Sequence, residues 1–163
     1  MFRFTTHFIY QEKRFDVDWH EIDSLAEVPA DKVSQIYGVC LYDEKVVLVT
    51  SDFEIYNLPG GKNEPGEDLI DAFKREIREE TNMAVTVWKP IGYQIVTDPT
   101  GRKKWELRLV ALVSKIGEFE NDPAGTVKGN KLCELDELND YIQYGEVGER
   151  LIIRTKELKD TMK

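Results

Sequence analysis

Three glutamates, Glu76, Glu79 and Glu80, are spaced i, i+3 and i+4. On a helix that spacing stacks their side chains on one face, within reach of one another. Stability alone disfavours the arrangement. Like charges at i,i+4 destabilise a helix by about 0.2–0.5 kcal/mol per pair. Glu79 and Glu80 also fall in what should be the last turn, where the helix dipole prefers cations. A divalent cation among the three reverses both penalties. Hard ions such as magnesium take oxygen ligands, usually from carboxylates and substrate phosphates. The chemistry to expect is the binding of a hard divalent cation. The bland alternative is a solvated acidic helix, because the chain carries 31 Asp and Glu and charge runs commonly face water.

The surrounding residues favour the metal site. Leu58-Pro59-Gly60-Gly61 precedes the helix as a tight turn. Its glycines allow close backbone approach and can offer a carbonyl as a further hard-oxygen ligand. Pro65-Gly66 closes the loop, and Glu67-Asp68 opens the helix with acids where the dipole favours them. Leu69, Phe73 and Ile77 recur at i, i+4 and i+8 as a core stripe. The acid face lies beside that stripe, so the carboxylates are expected half sheltered. Ala72 is expected one turn earlier on the acid face, leaving room for a ligand. Arg75 adjoins the cluster and can hold a carboxylate through a bidentate pair.

These residues resemble the signature of the Nudix hydrolases, G-x5-E-x7-R-E-U-x-E-E-x-G-U with U a bulky aliphatic. Gly61, Glu67, Arg75, Glu76, Ile77, Glu79, Glu80 and Met83 fill its places, over 23 of 163 residues. The final glycine is Asn82 here. Asn is the next best residue for the left-handed conformation that ends a helix, so the change should bear little on chemistry.

The resemblance implies an α/β fold, an α/β/α sandwich with a mixed β-sheet flanked by helices. It implies hydrolysis of a pyrophosphate bond in a small nucleotide, namely ADP-ribose, a nucleoside diphosphate sugar or a nucleoside triphosphate. The implied cofactor is Mg2+, with Mn2+ as a substitute, held by Glu76, Glu79 and Glu80 with the Gly61 carbonyl and Glu67. Glu79 and Glu76 are the expected catalytic acids, and Arg75 their electrostatic support. The general base is either a box glutamate or, as in some relatives, an acid on a distant loop. Glu118, Glu120 and Asp122 are the loop candidates, each with a solvated loop as its alternative.

Composition bounds the rest. The length suits one domain, residues 1–163, with about 30 N-terminal residues extending the minimal fold. No apolar run approaches the ~18 residues that cross a membrane. Two cysteines, Cys40 and Cys133, read as buried free thiols, and a cytoplasmic location is the default. The net charge of −9 argues against nucleic-acid polymers as partners, which need a basic surface. It leaves small phosphate substrates open if a metal mediates. The family often dimerises, and the sequence leaves a homodimer open.

Along the chain, residues 2–10 and 14–20 read as a hairpin, and 24–33 as a loop with a helical turn. Strands are expected at 35–42, 46–50, 54–58, 85–97 and 104–116, and helices at 67–81, 136–143 and 146–159. Residues 117–131 read as a polar loop. Pro99 either marks an ADP-ribose pyrophosphatase, as its distance from the box suggests in that subgroup, or merely shapes a hairpin tip. Phe53, Tyr56, Tyr93 and Trp105 are candidate stacking surfaces for a base, and Arg102, Lys103 and Lys104 candidate phosphate contacts. Two other classes compete with the hydrolase. A silent nucleotide-binding module usually loses box acids, all of which are kept here. An isoprenoid diphosphate isomerase carries a broken box and a catalytic cysteine.

Overall fold

The computed structural model describes residues 1–123 and 125–163. Its strands are β1 (Arg3–Tyr10), β2 (Lys13–Glu21), β3 (Val33–Tyr42), β4 (Lys45–Thr50), β5 (Tyr56–Asn57), β6 (Gly60–Lys62), β7 (Met83–Thr97), β8 (Lys103–Lys115) and β9 (Gly129–Cys133). The helices are α1 (Leu69–Thr81), α2 (Leu138–Ile142) and α3 (Gly145–Lys159). The strands form one sheet in the order β1-β2-β7-β8-β3-β4-β5, with β6 paired to β3 and β9 to β4. The β3–β8 ladder is parallel; the others are antiparallel.

The near-continuous apolar runs of β3 and β4 follow from burial on both faces. Val39, Leu41, Val46 and Leu48 pack with Leu138 and Leu151 of α2 and α3. Ile36, Cys40 and Val47 pack with Phe73 and Ile77 of α1. The result is the mixed-sheet α/β/α sandwich that the box implied. Cys40 and Cys133 are free and buried, in different clusters. Among the described residues no helix is long and apolar enough to cross a membrane.

Helix α1 starts two residues later than expected. Asp68 is its N-cap, accepting from the backbone N–H of Ile70 and Asp71, which is the usual role of Asp there. Asn82 ends it at φ 54° and ψ 40°. Leu69, Phe73 and Ile77 are buried as the stripe required. Ala72 is buried too, at 1% exposure. It is part of the core and leaves no ligand space, because the helix turns it toward the sheet.

The fit of α1 on the sheet depends on Gly38 in β3. A Cβ there would lie 2.5 Å from Cζ of Phe73, a ring with no exposed surface. Overpacking of this kind costs about 1–3 kcal/mol. Gly38→Ala should therefore lower the melting temperature by roughly 2–12 °C in a chain of this size, as read by circular dichroism.

Two expected boundaries differ. The strand at 54–58 shrinks to Tyr56–Asn57 because Asp52 accepts from the N–H groups of Glu54 and Ile55, folding that segment into a turn. The tract at 117–131 is not all loop, since its end enters β9 and pairs with β4 from Thr50 to Val46. The N-terminal hairpin also gains a role. It extends the sheet through β2–β7. Glu21, only 4% exposed, takes a bidentate pair from Arg150 of α3 at 2.6 and 2.7 Å. Trp19 Nε1 donates to the same carboxylate at 3.0 Å.

Candidate active site

The signature residues meet where α1 crosses β6. Arg75 is the hub. Its Nε and Nη2 donate to Glu67 at 2.9 and 3.0 Å, a side-on fork. Its Nη1 donates to Glu76 at 2.9 Å and to Glu79 at 3.4 Å. Nη2 also reaches the Lys62 carbonyl at 3.1 Å, tying helix to strand. Glu67 further accepts from the Glu64 N–H at 2.9 Å. The Arg75 hydrogen bonds, helped by that N–H, hold the Glu67 carboxyl below the usual range.

Glu80 is placed differently. It is 9% exposed and accepts from the Gly60 N–H at 2.8 Å. Burial, reinforced by the charges of Glu76, Asp122 and Glu79, pushes its pKa up to about 8 against that hydrogen bond. Glu76 is raised as well, chiefly by burial and against the pull of Arg75. The glycine at the head of the signature has a steric reason. A Cβ on Gly61 would sit 2.6 Å from the carboxyl carbon of Glu76, so any larger residue displaces that carboxylate.

Among the described residues, no three Asp, Glu, His or Cys side chains converge as a ready-made cation cage. The guanidinium of Arg75 is the positive charge on which Glu67, Glu76 and Glu79 meet. The donors nevertheless fit a hard cation by type and by charge. Three box carboxylates share one arginine while Glu80 turns to the Gly60 N–H, and burial, with like charges nearby, holds Glu76 and Glu80 above their ordinary pKa. Side-chain rotation would be needed to gather them on an ion.

The structure separates the three loop acids. Glu118 is exposed and paired to Lys115 at 2.9 Å, and Glu120 faces solvent. Asp122 is buried at 5% exposure and close enough to raise both Glu76 and Glu80. Its Oδ2 accepts from the Val127 N–H at 3.0 Å and the Thr126 hydroxyl at 2.8 Å. Asn82 helps set this loop: its side-chain amide donates to the Glu118 carbonyl at 2.9 Å. A glycine there could not make that bond. Asn130 ties β9 to the helix end by donating to the Glu80 carbonyl at 2.9 Å.

A cavity of about 350 Å³ opens beside Glu80 and Gly60, walled by Tyr37, Glu106, Thr126 and Tyr144. The stacking candidates from the sequence lie elsewhere. Tyr93 stacks on Trp105 at 5.3 Å and on His20 at 4.8 Å. Tyr56 packs edge-on against Tyr141, and Phe53 is 63% exposed. Pro99 sits in the β7–β8 turn, where Asp98 accepts from the N–H groups of Thr100 and Arg102. The sequence reading missed Tyr37, Tyr144, Glu106 and Arg108, because single aromatic and charged residues in strands and turns carry no local signal.

The fold, the glycine turn and the acid helix define a Nudix domain, and comparison with known proteins agrees. The NUDIX domain profile matches residues 32–154, and the chain belongs to that family. A curated relative, YtkD of Bacillus subtilis, is 33% identical over 63 residues, which is 39% of this chain and 40% of the relative. That protein's name provisionally makes it an 8-oxo-dGTP diphosphatase. The match thus spans about two fifths of the curated relative's length. A mutant of the B. subtilis pyrophosphohydrolase BsRppH superposes with a TM-score of 0.71 at 24% identity, covering 99% of this chain and 98% of that one. A NUDIX hydrolase from Nitrosomonas europaea gives 0.63 at 21% identity, covering 81% and 97%. These structural likenesses establish the fold.

Proposed function

We propose that the chain is a magnesium-dependent pyrophosphohydrolase acting on a small nucleotide, with manganese as a substitute ion. The observation that carries this is the cluster of Glu67, Glu76 and Glu79 around a single arginine, with Glu80 beside them on the wall of a cavity large enough for phosphates. Glu76, Glu79 and Glu80 are the proposed ligands, with the Gly61 carbonyl and Glu67 in support. When bound, the ion would neutralise charge on the phosphate oxygens and lower the pKa of a coordinated water.

The chain's own groups supply the rest. Arg75 holds Glu67, Glu76 and Glu79 in orientation. Asp122 is the proposed base among the loop acids, because it alone of the three is buried against the box. It would accept the proton from the attacking water as the phosphorus–oxygen anhydride bond breaks. The likeness to a protein named for 8-oxo-dGTP supports a nucleoside triphosphate as substrate ahead of ADP-ribose. The two buried free thiols suit a reducing cytosol.

The raised pKa of Glu80 has a measurable consequence. A ligand must be deprotonated to bind metal. Below about pH 8 the metal-free protein holds a proton on Glu80, and the cation must displace it. Ion affinity should tighten as pH rises, by about tenfold per unit for one proton released, and level off above about 8. Manganese titration calorimetry across pH 6–9 checks this. The linked stability runs the other way. With its folded pKa above the ordinary 4.5, Glu80 contributes stability that is full below that value and lost as pH rises through about 8.

A panel of nucleoside triphosphates, oxidised nucleoside triphosphates, nucleoside diphosphate sugars and ADP-ribose, with magnesium and with chelator, tests the assignment. Metal-dependent turnover of one class well above the rest is the expected result. Folded protein that turns over none of them would make the chain a binding module.

A further inference from the structure

We propose that a second cavity, under the N-terminal hairpin, is a nucleobase site in which Arg108 and Glu106 read the hydrogen-bonding edge of guanine. This rests on the nucleotide reading of the chain. The cavity, of about 640 Å³, lies between β1–β2, the strand pair β7–β8 and the α2–α3 junction. It shares Glu106 and Tyr144 with the cavity beside Glu80, so one nucleotide can put phosphates in the first and its base in the second.

Arg108 is the observation that asks for a ligand. It is 2% exposed and lines the cavity, yet its donors are poorly used. Nη1 donates to the carbonyl of neighbouring Leu107 over a long 3.4 Å. Nη2 lies 3.5 Å from Glu106, and Nε has no partner among the described residues. A guanidinium offers five donors, and leaving buried charged donors unmet is costly. The rings of Tyr37 and Tyr144 lie 4.9 and 5.9 Å from its centre. Such cation–π contacts hold the charge in place without using its hydrogen-bond donors.

Glu106 decides the class of ligand. A phosphate bound on the guanidinium with no cation between would meet that carboxylate and be repelled. A neutral edge that sets an acceptor next to donors satisfies both groups. Guanine has this edge, O6 beside N1–H and the N2 amino group. Arg108 would donate to O6, while Glu106 accepts from the two nitrogens. Gln94 donates to Glu106 at 3.1 Å and steadies it. Adenine places a donor where guanine has O6 and lacks the N1 proton, so it satisfies the pair less well. The stacked rings of Phe8 and Phe15, 5.0 Å apart, give the cavity an apolar wall for a purine.

Calorimetric titration of the full chain with GMP, IMP, AMP and inorganic phosphate tests the site without any turnover. GMP should bind about tenfold or more tighter than AMP, as one good bidentate base contact provides. IMP should fall between them, and phosphate alone should be weakest. Glu106→Gln keeps shape and removes the charge. It should weaken GMP about tenfold and bring GMP level with AMP, with folding confirmed by circular dichroism. Equal binding of GMP and AMP by the parent protein would overturn the proposal. So would phosphate binding as tightly as GMP, or a GMP preference that survives in Glu106→Gln. The two readings fail separately. GMP selectivity without hydrolysis of any anhydride would sink the enzyme assignment alone, whereas hydrolysis without base preference would sink the guanine site alone.

Discussion

Glu79→Gln should lower kcat by about two to three orders of magnitude, the loss seen when one electrostatic stabiliser of a transition state is removed, and leave the fold intact. The side chain of Glu79 is 30% exposed, and its one hydrogen bond among the described residues is the long contact from Arg75 at 3.4 Å. A glutamine can still accept that bond. The substitution thus removes a charge and little else, and stability should change by no more than about 0.5 kcal/mol. If the ion neutralises the phosphate, losing an anionic ligand weakens both its hold and its effect. Steady-state kinetics at saturating magnesium, with melting curves alongside, measures both quantities. A folded variant with undiminished kcat would remove Glu79 from the mechanism.

Arg75→Met should separate the structural from the catalytic work of the box. The guanidinium holds three carboxylates at once, and methionine keeps the stem without the charge. Deleting the partner of a buried ion pair costs about 3–5 kcal/mol. Arg75 is 29% exposed, so solvent screening reduces the expected loss to about 1–3 kcal/mol in chelator. Excess divalent ion should restore part of it, and stabilise the variant more than the parent protein, because it supplies the missing positive charge. Activity should still fall by about 10–100-fold, since the groups that orient metal ligands matter nearly as much as the ligands. Chemical denaturation with and without ion measures the first effect. Equal stability of the two proteins in chelator would contradict the hub role.

The box helix was legible because its information is local. The core stripe, the acid face and the left-handed stop at Asn82 all fall within one run of sequence, and the periodicity fixes their geometry. The hairpins were legible from strand patterns, although the β1–β2 and β3–β4 turns put non-glycine pairs, Gln11-Glu12 and Asp43-Glu44, at positive φ. What escaped was non-local. β9 carries two apolar residues in five, and its ladder to β4 spans some eighty residues of chain. The parallel β3–β8 pairing leaves no mark in either strand. The cavity walls escaped for the same reason. Tyr37, Glu106, Arg108 and Tyr144 come from β3, β8 and the turn before α3, and only the sheet order brings them together. Spacing could place the carboxylates on one face, but not show that three of them would close on Arg75 while Glu80 turned to the Gly60 N–H.

The most direct test of the central claim is hydrolysis of a nucleoside triphosphate in 18O-labelled water with magnesium, comparing the parent protein, Glu79→Gln and the parent protein in chelator. The account predicts label in a phosphate product from the parent protein alone, with the two controls near background. Equal incorporation in all three would mean that the Glu76, Glu79 and Glu80 face of α1 does not carry the reaction.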